Sequence, residues 1–137
     1  MLQANVAQLF EYQRERLQLL LVCGNLDAPI AINHQHASPA DLVGHLNLIH
    51  PDRIQVIGAP EINWATQQHA VRVSRHMDEI IASHPPAVIV ADGCPIPATV
   101  REACERSSTA LFSTPQAAAT VIDLLRIWLS RQLAETT

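Results

Sequence analysis

Two histidines are the first residues whose type and spacing suggest chemistry. His34 and His36 are two apart in a polar stretch, and on a strand both imidazoles would face one side and could bind a metal ion. No third or fourth ligand is apparent nearby, so we favour the alternative that both are solvated in a loop. His69 and His76, seven apart on one helix face, are interpreted as part of a charged outer surface. The sequence therefore predicts no metal site.

The three cysteines, Cys23, Cys94 and Cys104, are candidate nucleophiles. None has the adjacent histidine and orienting third group that activation of a thiol requires. Cys23 at a strand end and Cys104 on an apolar helix stripe are interpreted as core residues, whereas Cys94 follows an Asp-Gly turn and is expected to be the most exposed. No serine lies in a G-x-S-x-G motif. We predict no catalytic residue.

All nine basic residues are arginines, and the chain has no lysine. A Schiff-base enzyme needs lysine as its nucleophile, and a P-loop needs lysine as a point charge on phosphate. The four glycines are isolated from one another, so they form no glycine-rich loop that could cradle a phosphate. These observations exclude both chemistries, and we predict no cofactor-binding residue in this chain.

Length and charge limit the remaining classes of function. With 137 residues and a mass of 15.0 kDa, the chain is predicted to form a single domain spanning 1–137. The net charge is −4 and no basic run is present, which argues against nucleic-acid binding. No apolar stretch reaches bilayer length, and no signal-peptide pattern begins the chain. The odd number of cysteines fits a reducing compartment, so we expect a cytoplasmic protein without membrane contact.

Three apolar runs that end in glycine organise the predicted fold. Residues 53–58 alternate like a short strand that turns into a loop. Residues 17–23 form a second apolar run that is followed by a glycine. The run 87–91 is continuous and rich in β-branched residues, as in a strand buried on both faces of a parallel sheet. Shorter strands are predicted at 30–32 and 110–112. The strands 17–23 and 30–32 are expected to form a hairpin-like unit.

Helices are predicted between these strands. Asn5 is the expected N-cap of the first helix, and Ser38 and Thr114, each followed by proline, are expected N-caps of two others. The predicted helices cover 6–16, 40–46, a short turn at 60–64, then 73–84, 100–104 and a final apolar stripe over 118–133. Strands alternating with helices predict an α/β, three-layer fold with a mostly parallel sheet of about four or five strands.

Open α/β sheets bind ligands beyond the carboxyl ends of their strands. This rule predicts a ligand rim at Asp92, Gly93, Ser113 and Thr114, where the backbone N–H groups of the helix after Thr114 would attract an anion. Three further residues at strand ends belong to the same expected rim, namely Gly24, Gly58 and Glu61. The alternative interpretation makes Asp92 and Thr114 ordinary turn and cap residues.

Several segments together resemble one known family. Residues 42–47 and 50–58 are similar to the N-terminal domain of the bacterial HPr(Ser) kinase/phosphorylase, in which a helix leads to an Arg-Ile-Gln-Val strand and a glycine. The apolar strand and turn at 86–93 resemble the family's apolar strand. The helix at 124–129 and the Leu-Ala-Glu-Thr-Thr tail at 133–137 resemble the segment that immediately precedes the family's catalytic domain.

The resemblance implies a non-catalytic regulatory or assembly domain of a bifunctional enzyme. That enzyme would phosphorylate and dephosphorylate a serine of HPr, the phosphocarrier of the sugar phosphotransferase system. ATP and Mg²⁺ chemistry would belong to a P-loop catalytic domain that follows Thr137, and the implied partners are that catalytic domain, HPr and further copies in a homo-oligomer. The implied fold is that of the uridine-nucleotide-binding N-terminal domains of the Mur ligases. A free-standing domain that senses a nucleotide or another anion is the second hypothesis, and an enzyme in its own right is the third.

Overall fold

The computed structural model describes residues 4–31, 38–47 and 50–133. Its helices are α1 (Val6–Leu17), α2 (Ala59–Thr66), α3 (Ala70–Ala82), α4 (Ala98–Ser107) and α5 (Ala118–Leu133). Its strands are β1 (Ala4–Asn5), β2 (Leu20–Cys23), β3 (Pro29–Ile30), β4 (Val43–His45), β5 (Ile54–Ile57), β6 (Ala87–Val90) and β7 (Ala110–Ser113). A 3₁₀ turn, Pro39–Leu42, precedes β4. No helix within these ranges is both long and apolar enough to cross a membrane.

Five of the strands form one mixed sheet in the order β2-β7-β6-β5-β4. The strands β4, β5, β6 and β7 run parallel to one another, and β2 is antiparallel to β7 at one edge. The central strand β6 is buried along its whole length. The predicted α/β fold with a mostly parallel sheet is therefore confirmed.

Helices cover both faces of this sheet and give the fold three layers. On β6, Ala87 and Ile89 belong to the core shared with α1 and α5, whereas Val88 and Val90 belong to the core shared with α2, α3 and α4. The alternation follows from the two-residue period of a strand. Because both faces of β6 are buried, the sequence of this strand is a continuous apolar run.

The first helix begins where the sequence predicts. Asn5 Oδ1 accepts the backbone N–H of Gln8 at 2.8 Å, and Gln8 Oε1 accepts the backbone N–H of Asn5 at 3.1 Å, which completes a capping box. The helix ends at Leu17, and Gln18 takes a left-handed φ of 53° that turns the chain toward β2. Residues 17–19 are therefore not part of the strand predicted over 17–23.

Three further helices are found near their predicted positions. The turn expected at 60–64 is the helix α2, the stripe at 73–84 is α3, and the stretch at 100–104 lies in α4. The apolar stripes of the two longer helices are buried, as the spacing requires, through Val73, Met77 and Ile80 on α3 and Val100, Ala103 and Cys104 on α4.

The hairpin-like unit expected from residues 17–23 and 30–32 is wrong. The strand β3 pairs with β1 in a separate two-stranded sheet, and β2 pairs with β7, with Leu20 opposite Ser113. Since β7 is buried, its backbone polar groups need a partner on the side away from β6, and β2 provides one. Ile32, the last residue of the predicted unit, lies outside the described residues.

The helix expected over residues 40–46 is also wrong. After one 3₁₀ turn the chain becomes β4, which pairs in parallel with β5. Val43 and Gly44 both disfavour a helix, and pairing with β5 satisfies the backbone of a fully buried strand. Ser38 does stand at the start of the turn, where its backbone N–H donates to Asp41 Oδ2 at 3.1 Å.

A buried glutamine holds the connection between β4 and β5. Gln55 Nε2 donates to the carbonyls of His50 at 3.0 Å and Arg53 at 2.9 Å, and its Oε1 accepts the N–H of Asn47 at 3.0 Å. All three partners lie in or beside the connecting segment, so one buried side chain hydrogen-bonds the backbone at both ends of this segment. The strand predicted over 53–58 is confirmed as β5 and is organised by this residue.

We predict that Gln55→Leu lowers the free energy of unfolding by about 2–4 kcal/mol, because it leaves three backbone groups without their hydrogen bonds at a fully buried position. Urea denaturation of the chain measures this change. The matched control is Gln67→Leu, at an exposed position just after α2, which should be nearly neutral. Equal stability of the two variants would contradict the role assigned to Gln55.

Candidate functional site

The predicted rim lies at the carboxyl ends of β5, β6 and β7. The backbone N–H of Gly93 donates to the carbonyl of Thr114 at 3.1 Å, which holds the turn after β6 against the end of β7. Gly93, Ser113 and Thr114 line an open cleft of about 410 Å³ together with Cys94. The structure therefore brings three of the four principal rim residues into one cleft, and Asp92 directly precedes them.

Gly24 does not belong to this rim, so its assignment there was wrong. Because β2 is antiparallel to β7, the carboxyl end of β2 lies beside the amino end of β7. Gly24 is therefore at the opposite end of the strands from the rim. A Cβ atom on Gly24 would lie 2.1 Å from the carbonyl oxygen of Thr109, and Gly24 has a φ of 98°. Close backbone packing and a left-handed turn explain this glycine.

Asp92 connects two helices that lie on opposite faces of the sheet. Its Oδ2 accepts the backbone N–H of Ala59 at 2.7 Å, at the start of α2, and its Oδ1 accepts the backbone N–H of Ala118 at 2.9 Å, at the start of α5. The first N–H groups of a helix have no partner within the helix and carry partial positive charge. One carboxylate therefore caps both helices.

Thr114 is not the N-cap of α5 that the sequence predicts, because α5 begins four residues later, at Ala118. Its hydroxyl donates to the carbonyl of Leu17 at the end of α1 and accepts the backbone N–H of Gln116 at 3.0 Å. The side chain is 3% exposed. Thr114 therefore ties α1 to the loop before α5, and Asp92 supplies the cap that the sequence assigned to Thr114.

Gly58 and Glu61 also lie at this edge of the sheet, as predicted. Glu61 Oε1 accepts the backbone N–H of Gly58 at 2.8 Å and lies 3.9 Å from His45 Nδ1. A Cβ atom on Gly58 would come within 2.7 Å of Asp92 Oδ2. The glycine therefore gives the Asp92 carboxylate the room it needs to reach the start of α2.

The electrostatics of the rim follow from these contacts. The N-termini of α2 and α5 would attract an anion, but the carboxylates of Asp92 and Glu61 already bind backbone N–H groups there. A second anion at the same point would meet two negative charges. The part of the rim that is open to a ligand is the cleft at Gly93 and Ser113.

The cysteines carry no sign of activation. Burial, and then the neighbouring Cys23 thiol and Glu105 carboxylate, raise the pKa of the Cys104 thiol to about 12. Burial, and then the carboxylates of Asp92 and Glu61, raise the pKa of Cys94 above its ordinary value. A raised pKa keeps a thiol protonated and unreactive at neutral pH. Cys104 is a core residue as predicted, whereas Cys23 and Cys94 are both partly buried.

The histidine predictions have different outcomes. His34 and His36 lie outside the described residues. Within the described ranges, no three histidine, cysteine or acidic side chains are grouped so that they could hold a metal ion. His76, expected on a charged outer face, packs edge-on against the ring of Trp64 at a centroid distance of 5.2 Å. Sequence reasoning missed this contact because α2 and α3 are separate helices with no shared pattern.

We predict that Asp92→Ala lowers the free energy of unfolding by about 2–4 kcal/mol, since it removes the caps of two helices at once and places alanine at a φ of 60°. Asp92→Asn keeps one acceptor oxygen, and with it one of the two caps, and asparagine tolerates this φ, so it should cost about half as much. Urea denaturation measures both values. Asp123→Ala, an exposed aspartate within α5, is the control, and a loss as large as that of Asp92→Ala would refute the capping role.

We predict slow alkylation of the cysteines by iodoacetamide in the folded chain. At about pH 7, Cys94 should react more slowly than the same thiol in the urea-unfolded chain, because a raised pKa reduces the thiolate fraction tenfold per unit. Cys104 should react only after unfolding. Peptide mass spectrometry measures each rate, and a Cys94 that reacts faster when folded would indicate an activated thiol.

The chain matches proteins of known family over nearly its whole length. The sequence model of the family described as HPr Serine kinase N terminus matches residues 4–129. The HPr kinase/phosphorylase of Azoarcus sp. (strain BH72) is 53% identical over 135 residues, which cover 98% of this chain and 43% of that protein. The HPr kinase/phosphorylase of Aromatoleum aromaticum is 52% identical over 135 residues, with the same two coverages. That of Paraburkholderia xenovorans is 57% identical over 97 residues, covering 71% of this chain and 30% of that protein.

The chain thus spans less than half the length of these curated relatives. The family match begins at β1, includes every strand of the described fold and extends into the last turns of α5. On this sequence match, the chain belongs to the family of HPr serine kinase N-terminal domains.

Proposed function

We propose that this chain is the non-catalytic, regulatory or assembly N-terminal domain of a bifunctional HPr serine kinase/phosphorylase. The observation that carries the proposal is the extent of the match: relatives named HPr kinase/phosphorylase cover 98% of this chain with only 43% of their own length. In the proposed protein, catalysis belongs to the remaining part of the polypeptide. HPr, the phosphocarrier of the phosphotransferase system, is the substrate of that part.

The chemistry of the chain supports a non-catalytic role. ATP-dependent phosphoryl transfer needs groups that neutralise phosphate charge, commonly a P-loop lysine and carboxylates that hold Mg²⁺. The sequence has no lysine, and the carboxylates of Asp92 and Glu61 bind the backbone N–H groups at the N-termini of α2 and α5. These carboxylates would repel the phosphates of a nucleoside triphosphate. ATP and Mg²⁺ are therefore assigned to the catalytic part of the proposed protein.

The proposal also covers the oligomeric state and the cellular location of the complete protein. The complete protein is proposed to be a cytoplasmic homo-oligomer in which this domain contacts the catalytic part of the same polypeptide. Three unpaired cysteines are consistent with a reducing compartment.

A domain that senses a nucleotide or another anion at the rim is the alternative. The cleft at Gly93, Ser113 and Thr114 is open, which favours it, but the Asp92 carboxylate beside the cleft repels an anion. Saturable shifts of the Gly93 and Ser113 amide signals on titration with inorganic phosphate or a uridine nucleotide would favour this alternative. Because of this carboxylate, we rank anion sensing below the regulatory or assembly role.

The test compares three proteins: the complete Azoarcus relative, the same enzyme without the residues that match this chain, and the present 137-residue chain. Transfer of labelled phosphate from ATP to HPr is measured for each, together with the molecular mass in solution. We predict that the chain alone transfers no label and that the shortened enzyme still phosphorylates HPr, but with altered oligomeric mass or altered response to metabolites. This result follows if the phosphate-binding groups lie outside the matched region.

Two outcomes would contradict the proposal. Labelling of HPr by the chain alone would make the domain catalytic. A shortened enzyme identical to the complete one in rate, regulation and mass would leave the domain without the proposed role.

A further inference from the structure

Two adjoining clefts lie on the α2 and α3 side of the sheet, away from the rim at Gly93. The first, the basic cleft, has a volume of about 580 Å³ and follows α3; its walls include Arg72, Arg75 and His76, and also Glu79. The second, the apolar cleft, has a volume of about 400 Å³, and its walls include Trp64 and again His76. The shared histidine makes the two clefts one continuous surface.

The indole of Trp64 lines the apolar cleft and contacts two residues that line the basic cleft. It is 40% exposed, which is unusual for so large an apolar side chain. His76 packs edge-on against it at 5.2 Å, and the Arg72 guanidinium lies 5.9 Å from its ring centre. Both neighbours come from α3, whereas Trp64 belongs to α2, so contacts between the two helices restrain a ring that is still partly exposed. A restrained aromatic ring loses little conformational entropy on binding.

The walls of the basic cleft contain two arginines and one carboxylate, that of Glu79. Arg106, on α4, pairs with Asp78 at 2.9 Å, whereas Arg72 donates to the neutral Oε1 of Gln68 at 3.2 Å. Within the described ranges, no carboxylate lies within ion-pair distance of Arg72 or Arg75. With two guanidinium groups against one carboxylate, the walls of this cleft carry a net positive charge on a chain whose net charge is −4.

We propose that these two clefts bind an extended acidic segment of a partner protein. Its carboxylates would pair with Arg72 and Arg75, and one apolar side chain between them would enter the apolar cleft against Trp64. Charge complementarity supports an acidic occupant, and the apolar walls formed by Leu46, Pro60 and Ile80 support an apolar anchor. Nucleic acid fits less well, because the two arginines of the cleft could pair with only two phosphates. This surface is argued from its own residues and goes beyond the proposed function.

The probe is a fluorescein-labelled peptide of aspartates and glutamates around one central leucine, titrated into the present chain. Two control peptides replace the acids by lysines or the leucine by serine. Binding is followed by anisotropy and by the two tryptophan indole N–H signals in NMR spectra. The signal of Trp64 should shift, whereas that of the buried Trp128 on α5 serves as an internal reference and should not. Affinity should fall as salt concentration rises.

We predict that the double variant Arg72→Gln, Arg75→Gln weakens binding of the acidic peptide about fivefold to tenfold, since two exposed ion pairs are lost. The matched control is Arg126→Gln with Arg131→Gln, two exposed arginines on α5 across the sheet, which should leave binding unchanged. Trp64→Ala should weaken binding and abolish the preference for the leucine peptide over the serine peptide. All four arginines are exposed, so the variants are expected to fold like the parent chain.

Several outcomes would overturn the proposal. They are equal binding of the lysine peptide, an unchanged affinity in the Arg72 and Arg75 variant, no saturable binding, or stronger binding of a single-stranded RNA of equal charge. Self-association of the chain that depends on Arg72 and Arg75 and resists the peptide would assign the surface to a second copy.

Discussion

The fold depends on a single carboxylate at the end of its central strand. Asp92 follows β6 directly, and its two oxygens bind the first N–H groups of α2 and α5. These helices pack on opposite faces of the sheet, so the contact joins the two outer layers at the edge where the strands end. The backbone of Asp92 is fixed as well, because its N–H donates to the carbonyl of Gln116 at 2.8 Å. Negative charge at a helix N-terminus is favourable, and here the N-termini of two helices share one carboxylate.

The same contact limits what the carboxyl edge of the sheet can do. In open α/β folds this edge commonly binds anions, because helix N-termini point toward it. In this chain, carboxylates of the protein occupy the N-termini of α2 and α5, and Thr114 is buried in a contact with α1. The edge is therefore used largely for internal structure. Clefts lined by exposed arginines and by Trp64 lie instead on the α2 and α3 side.

Local patterns predicted most of the secondary structure. The capping box at Asn5, the β-branched run of β6 and the apolar stripes of α3 and α5 were identified because each depends on residues within a few positions of one another. The failures occurred where pairing with a distant strand outweighed the local signal. Ser38-Pro39 is a good helix start, yet the chain forms β4 because β5 needs a neighbour.

The sequence by itself determined the α/β class, the order of most elements, the family and the absence of lysine-dependent chemistry. Only the tertiary structure decided that β2 runs antiparallel, which removes Gly24 from the rim. It also decided that Asp92 caps two helices and that Trp64 lies between Arg72 and His76. Each of these facts involves groups that are distant in sequence, and their geometry is set by packing of whole layers. Local propensity and spacing carry no information about such contacts, because they describe only neighbours along the chain.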